Sequence, residues 1–143
     1  MQYEQRRLEE RNELLLNHAN AIIYTIDPDG IMTYVSPNWP RLLGHPAETV
    51  VGKSFSAFVR PEDHAACYEF LKRVVSEGVA QTGIEYRVVH VNGGLFWHTS
   101  SIMPVKDKEG RIVAYVGAAH DITQLKRTQE ELRAANERLS MLI

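Results

Sequence analysis

The feature that most constrains this 143-residue sequence is a strand-like segment that runs directly into a charged helix. Residues 112–120 are mostly β-branched, small or aromatic, a composition that favours a β-strand. After residues 121–123 (DIT), neither Gly nor Pro interrupts residues 124–143. The leucines of this last segment recur every seven residues, the spacing of a coiled coil: Leu125, Leu132 and Leu139. This arrangement suits the relay of a signal out of a domain better than the turnover of a substrate.

Composition limits the class of protein. With 44% hydrophobic and 24% charged residues, the sequence fits one domain of roughly 100 residues with flanking segments. Cys67 is the single cysteine, which excludes an internal disulfide framework and fits a reducing compartment. A net charge of −2 gives no reason to expect a nucleic-acid partner. No apolar run approaches the roughly 20 residues of a membrane span. We therefore expect a cytoplasmic protein that meets a membrane only through a longer parent chain.

Five segments have the composition and alternation of β-strands. They are residues 21–26, 31–35, 83–91, 95–105 and 111–120. A DPDG turn joins the first two into a hairpin, and NGG and DKEG turns join the last three into a meander. Because strands and helices do not alternate along the chain, the pattern predicts an α+β fold with an antiparallel sheet.

The predicted domain helices lie between these two groups of strands. Prolines and glycines interrupt residues 36–59, so we expect only short helices near 39–43 and 46–50. A longer helix is predicted to begin at Pro61 and to end at Gly78.

Nine short motifs occur in order along the chain. They are 27–30 (DPDG), 34–38 (YVSPN), 41–44 (RLLG), 51–53 (VGK), 58–63 (FVRPED), 85–87 (EYR), 92–94 (NGG) followed by Trp97, 104–107 (PVKD) and 121–123 (DIT). In this order and spacing, the sequence resembles a PAS (Per-Arnt-Sim) domain with its C-terminal PAC part. The resemblance covers about residues 17–123. It divides the chain into a linker helix (1–16), a PAS domain (17–123) and a C-terminal coiled-coil signalling helix (124–143).

The resemblance implies a five-stranded antiparallel sheet with short helices on one face and a pocket beneath the longer helix. PAS domains bind haem, flavin or small metabolites there, or nothing, and many dimerise through flanking helices. We therefore expect a non-catalytic sensory and signal-relay module of a larger signalling protein, of the histidine kinase or diguanylate cyclase type. The alternative is a ligand-free module for protein–protein interaction and dimerisation. For a free-standing enzyme, the sequence offers no nucleophile–base pair.

Strand alternation splits each predicted strand into two faces, but periodicity does not say which face is buried. Similarity to flavin-binding PAS domains selects the face that includes His98. On that basis, the candidate pocket residues are Tyr24, Ile26, His98, Ser100, Ile102, Tyr115, Gly117 and Ala119. Trp97 then points outward, where a flanking helix could cover it.

An inward-facing His98 beside Ser100 leads to a ligand hypothesis. Polar groups in a buried cavity need hydrogen-bonding partners. A small polar molecule that contacts His98 would be such a partner, and the small residues Gly117 and Ala119 would leave room for it. Water, backbone groups or the opposite phase of alternation are the alternatives.

Named cofactors find little support in the sequence. Light-sensing PAS relatives need a cysteine in an Asn-Cys-Arg motif, which is absent, so covalent-type flavin is not expected. Haem-binding relatives use a histidine within the longer helix, whereas His64 lies in its first turn and Cys67 is closer to the ligand position. No attachment motif for c-type haem and no metal-ligand spacing occurs. The cofactor is therefore unknown, either a small polar metabolite or none.

The joint at residues 121–123 allows two interpretations. Asp121 followed by Gln124 fits a helix N-cap with a capping-box partner. The PAS resemblance instead implies that the Asp121 and Thr123 side chains fasten the last strand to the start of the helix. The predicted signal-relay residues are Trp97, Asp121, Ile122 and Thr123.

The two ends of the chain share one heptad pattern. With leucines at position d, polar Gln and Asn occupy position a in both residues 5–15 and residues 129–139. Polar a residues fix register and oligomer state in coiled coils. We expect a parallel homodimer with the seam Leu8, Leu15, Leu125, Leu132, Asn136 and Leu139. A solvated charged helix at each end is the alternative.

Overall fold

The structure, a computed structural model, describes residues 20–142. Its helices and strands are β1 (Ile22–Ile26), β2 (Met32–Val35), α1 (Asn38–Leu43), α2 (Ala47–Val50), α3 (His64–Glu77), β3 (Gln81–Val89), β4 (Leu95–Lys106), β5 (Ile112–Asp121) and α4 (Thr123–Met141). Two 3₁₀ turns, Phe55–Phe58 and Pro61–Asp63, precede α3. The predicted linker helix 1–16, with Leu8 and Leu15, lies outside the described residues.

All five strands form one antiparallel sheet in the order β2-β1-β5-β4-β3. The first hairpin and the last three strands meet where β1 pairs with β5. The predicted α+β class and five-stranded antiparallel sheet are therefore confirmed. Strand β3 begins at Gln81, two residues before the predicted start, because a bulge at Gly83 absorbs an extra residue with φ of +95°.

Two of the hairpin turns have the same construction. The Asp27 carboxylate accepts hydrogen bonds from the backbone N–H groups of Asp29 and Ile31, at 2.9 and 3.0 Å. The Asp107 carboxylate accepts the equivalent bonds from Glu109 and Arg111, both at 2.9 Å. An aspartate that bonds its own turn explains why these two segments reverse the chain so sharply.

The core lies between the inner face of the sheet and the helices. Helix α3 contributes Cys67, Phe70 and Val74 to it. On the sheet, Tyr24 stands directly opposite Gly117, and its ring lies over the glycine. A Cβ at Gly117 would overlap that ring, so the missing side chain is what lets Tyr24 pack flat against β5.

Helix α4 continues from β5 and extends beyond the domain. Its predicted seam leucines have few contacts within one chain, since Leu125, Leu132 and Leu139 are 54, 61 and 59% exposed. The coiled coil stays a prediction. Within residues 20–142, no helix is both long and apolar enough to span a membrane.

We predict that Gly117→Ala destabilises the domain by about 1–3 kcal/mol, because the new methyl group overpacks the Tyr24 ring. Chemical denaturation measures the change. Tyr24→Leu removes the ring that causes the overlap, so the double variant should be more stable than the sum of the two single effects predicts. Strictly additive effects on the free energy of unfolding would show that the new methyl group does not overlap the Tyr24 ring.

Candidate functional site

A cavity lies between the inner face of the sheet and helix α3. Its volume is about 60 Å³, several times the roughly 10–15 Å³ that one water needs. All five strands, helix α1, the 3₁₀ turn Phe55–Phe58 and α3 contribute to its wall. The wall is mainly aliphatic and aromatic, with Met32, Leu43, Phe58 and Phe70 among its residues.

All eight candidate pocket residues are buried on the inner face of the sheet. Five of them line the cavity: Tyr24, Ile26, His98, Ile102 and Ala119. The other three, Ser100, Tyr115 and Gly117, are buried beside the cavity rather than on its wall. Gly117 therefore leaves no room for a ligand, contrary to the expectation, because the Tyr24 ring occupies the space above it.

Ser100 already has two protein partners. The Tyr24 hydroxyl donates to its Oγ at 3.1 Å, and the Tyr86 hydroxyl shares a hydrogen bond with the same oxygen at 2.6 Å. Burial raises the pKa of both tyrosines, so their hydroxyls stay protonated. Ser100 thus needs no ligand. Tyr86 was missed from the sequence, although it lies directly opposite His98 in the β3–β4 ladder.

His98 differs from the three hydroxyls around it. It is 3% exposed and lines the cavity, and no hydrogen bond of its ring is found among residues 20–142. Among the same residues, no fully buried side-chain nitrogen or oxygen lacks a hydrogen-bond partner. Burial lowers its pKa to about 4, although the Asp121 carboxylate acts in the opposite direction. At neutral pH the ring is therefore uncharged, with one N–H donor and one acceptor nitrogen. It is a polar side chain on the wall of an otherwise mainly apolar cavity.

The two residues considered for haem occupy different places. The His64 ring hydrogen-bonds to the Val59 carbonyl at 2.8 Å and does not line the cavity. Cys67 does line the cavity, and burial raises its pKa to about 11, so it is a thiol rather than a thiolate. No cluster of three potential metal ligands occurs in the part of the chain that the structure describes.

The joint to helix α4 is built on the backbone of Trp97. The Trp97 N–H donates to the Thr123 hydroxyl at 2.9 Å, and the Ile122 N–H donates to the Trp97 carbonyl at 2.8 Å. The Asp121 carboxylate accepts from the Thr123 N–H at 2.7 Å. Helix α4 thus begins at Thr123 with no capping box, and the Gln124 side chain instead lies 3.5 Å from the Thr128 hydroxyl.

The Trp97 side chain points outward and is contacted by two cations. The Arg87 guanidinium lies 4.8 Å from the ring centre and the Lys126 ammonium 4.7 Å from it. Arg87 also binds the Asp63 carboxylate through two nitrogens at 2.7 and 2.9 Å, which lowers the pKa of Asp63. Because Asp63 directly precedes α3 and Lys126 lies in α4, these contacts join the cavity's helix to the exit helix.

The sequence profile described as PAS fold matches residues 16–127. The chain belongs to the PAS fold family. The expected PAS fold and the classification as a sensory module are confirmed by this match and by the relatives below.

Three relatives illustrate the range of proteins that contain similar domains. Sporulation kinase C of Bacillus subtilis is 21% identical over 97% of the chain, which spans 32% of that kinase. A sensory box histidine kinase/response regulator from Burkholderia thailandensis matches with a TM-score of 0.73 and 26% identity, over 92% of this PAS domain chain and 98% of the other. The N-terminal domain of a diguanylate cyclase with PAS/PAC sensor from Marinobacter aquaeolei matches with a TM-score of 0.65 and 25% identity, over 74 and 98%.

The buried His98 should make stability depend on pH. Its pKa is about 4 in the folded protein and near 6.5 when unfolded. The unfolded chain therefore binds more protons between these values, and stability falls as pH falls through this window. From pH 7 to pH 5 this costs about 2 kcal/mol. Denaturation of His98→Phe at both pH values should show a change smaller by that amount. Equal pH dependence in both proteins would contradict an uncharged, buried His98.

Proposed function

We propose that this PAS domain is a non-catalytic sensory and signal-relay module in the cytoplasmic part of a larger signalling protein, with a histidine kinase or diguanylate cyclase domain as its effector. A small molecule in the cavity, in contact with His98, would be the cue. The kinase and cyclase relatives support the class of parent protein. The hydrogen bonds between Trp97 and the start of α4 are the observation that most directly supports signal relay.

The joint favours relay because it couples two elements that have separate tasks. Strand β4 carries His98 on the cavity wall, and the residue before it, Trp97, binds Ile122 and Thr123 at the start of α4. A shift of β4 on ligand binding would therefore move the start of α4. A helix tied to the domain only by its covalent chain would not follow such a shift.

One observation favours the alternative of a ligand-free interaction module. The Tyr24, Tyr86 and Ser100 hydroxyls satisfy one another, and the Tyr24 ring takes the space above Gly117. The core thus fills part of the volume that a ligand would need. Mass spectrometry of the intact protein under native conditions separates the two functions, since a bound small molecule adds its mass.

Thr123→Val should loosen the joint, because it leaves the Trp97 N–H without its acceptor. We expect a loss of about 1–2 kcal/mol of local stability, seen as faster hydrogen exchange at Trp97 and in the first turn of α4. With a histidine kinase core fused in heptad register after residue 143, the same change should alter autophosphorylation several-fold.

Thr128→Val is the matched control, because Thr128 is exposed and its hydroxyl accepts from the Gln124 side chain on the same helix rather than from the joint. It should leave both hydrogen exchange at the joint and kinase activity unchanged. If both variants behave alike in the fusion, the joint does not relay a signal.

We also propose that the domain acts as a parallel homodimer through α4. Leu125, Leu132 and Leu139 form one exposed apolar stripe at heptad spacing. Asn136 at position a would fix the register of the two helices.

Leu132→Ala should therefore weaken the dimer by about 2 kcal/mol or more, because it removes a central seam side chain. Sedimentation equilibrium of the 143-residue chain over a range of concentrations measures this. Met141→Ala removes an even more exposed apolar side chain (86% against 61% for Leu132) away from the seam and should leave dimerisation unchanged. A chain that stays monomeric at high concentration would contradict the proposal.

A further inference from the structure

We propose that the cavity selects a small, uncharged, mainly apolar molecule with a single hydrogen-bonding group, which pairs with the His98 imidazole. This rests on the proposed sensory function and names the ligand class more narrowly than a small polar metabolite. Three features of the cavity carry the inference: the composition of its wall, the hydrogen bonds already formed around it, and its size.

The wall favours an uncharged and mainly apolar ligand. Among the described residues that line the cavity, none is lysine, arginine, aspartate or glutamate. A ligand charge would therefore lose its hydration without gaining an opposite charge, at a cost of several kcal/mol. Aromatic and aliphatic walls instead reward apolar surface, as in ligand pockets generally.

The hydrogen bonds around the cavity leave one position for a polar group. Ser100 engages both the Tyr24 and the Tyr86 hydroxyl, and the Trp39 indole N–H donates to His45 at 3.2 Å. His98 remains: it lines the cavity, and none of these hydrogen bonds engages its ring. Its neutral ring can either donate to or accept from the ligand. One hydroxyl, carbonyl or aromatic amine group on the ligand can pair with one of these ring nitrogens, and polar groups elsewhere on the ligand would face an apolar wall.

The size of the cavity limits the ligand to a few heavy atoms. Its volume exceeds that of a single water site several-fold. Helix α3 closes one side with Cys67 and Phe70, both buried. A single six-membered ring with one substituent is a suitable probe of this space.

Phenol, benzene and benzoate test the proposal, since they share one ring and differ in the polar group. Titration calorimetry on the 143-residue chain should show phenol binding about fivefold more tightly than benzene, the effect of one hydrogen bond to a buried partner. Benzoate should not bind. In His98→Phe, phenol and benzene should bind about equally well. His120→Phe, an exposed histidine on β5, is the matched control and should keep the preference for phenol.

A second measurement does not depend on the folding of His98→Phe. The imidazole nitrogen resonances of His98 in the unaltered protein should shift with phenol and stay fixed with benzene. Equal affinity for phenol and benzene, tighter binding of benzoate, or no binding of either neutral probe would overturn the proposed ligand class. The Thr123→Val fusion tests relay without any ligand, so its result stands whatever the probes do.

Discussion

The pleat of strand β4 is the constraint on which the rest of the structure depends. Because successive side chains of a strand point to opposite faces, His98 enters the cavity while Trp97 faces outward. Pairing with β3 on one side and β5 on the other fixes that phase. A one-residue slip would place the indole in the core and the imidazole under Lys126. The same pleat therefore sets both the position of His98 in the cavity and that of the joint.

The outer contacts of Trp97 are strong enough to couple two helices and weak enough to rearrange. Cation–π contacts at partly exposed sites contribute about 0.5–1 kcal/mol each, and Arg87 and Lys126 each make one. The bidentate ion pair between Arg87 and Asp63 is better shielded from water, since the Asp63 side chain is only 14% exposed. Lys126 also forms an ion pair with Glu85. The chain of contacts is thus firmest at the start of α3 and loosest at α4.

Much of the fold could be predicted from the sequence, because turn residues and strand alternation are local signals. The Asp-based turns and the end of α3 at Gly78 follow from such signals. The buried face of each strand came from resemblance, since periodicity alone is symmetric. Two features of the site depended on tertiary contacts that no local pattern encodes. Tyr24 covers Gly117 from another strand, and Tyr86 completes the partners of Ser100.

The size of the proposed signal limits how the domain can work. A ligand shifts an equilibrium between two conformations only by the difference in its affinity for them. One hydrogen bond to His98 supplies about fivefold, whereas a shift from 1:99 to 99:1 needs about 10⁴-fold. Contact with the apolar wall must therefore supply most of the difference. In the parallel dimer that we propose, two cavities act on one coiled coil, so their free energies add and the two affinity ratios multiply. Each cavity then needs a ratio of only about 100-fold, which a small ring that fills the space beside Cys67 and Phe70 can approach.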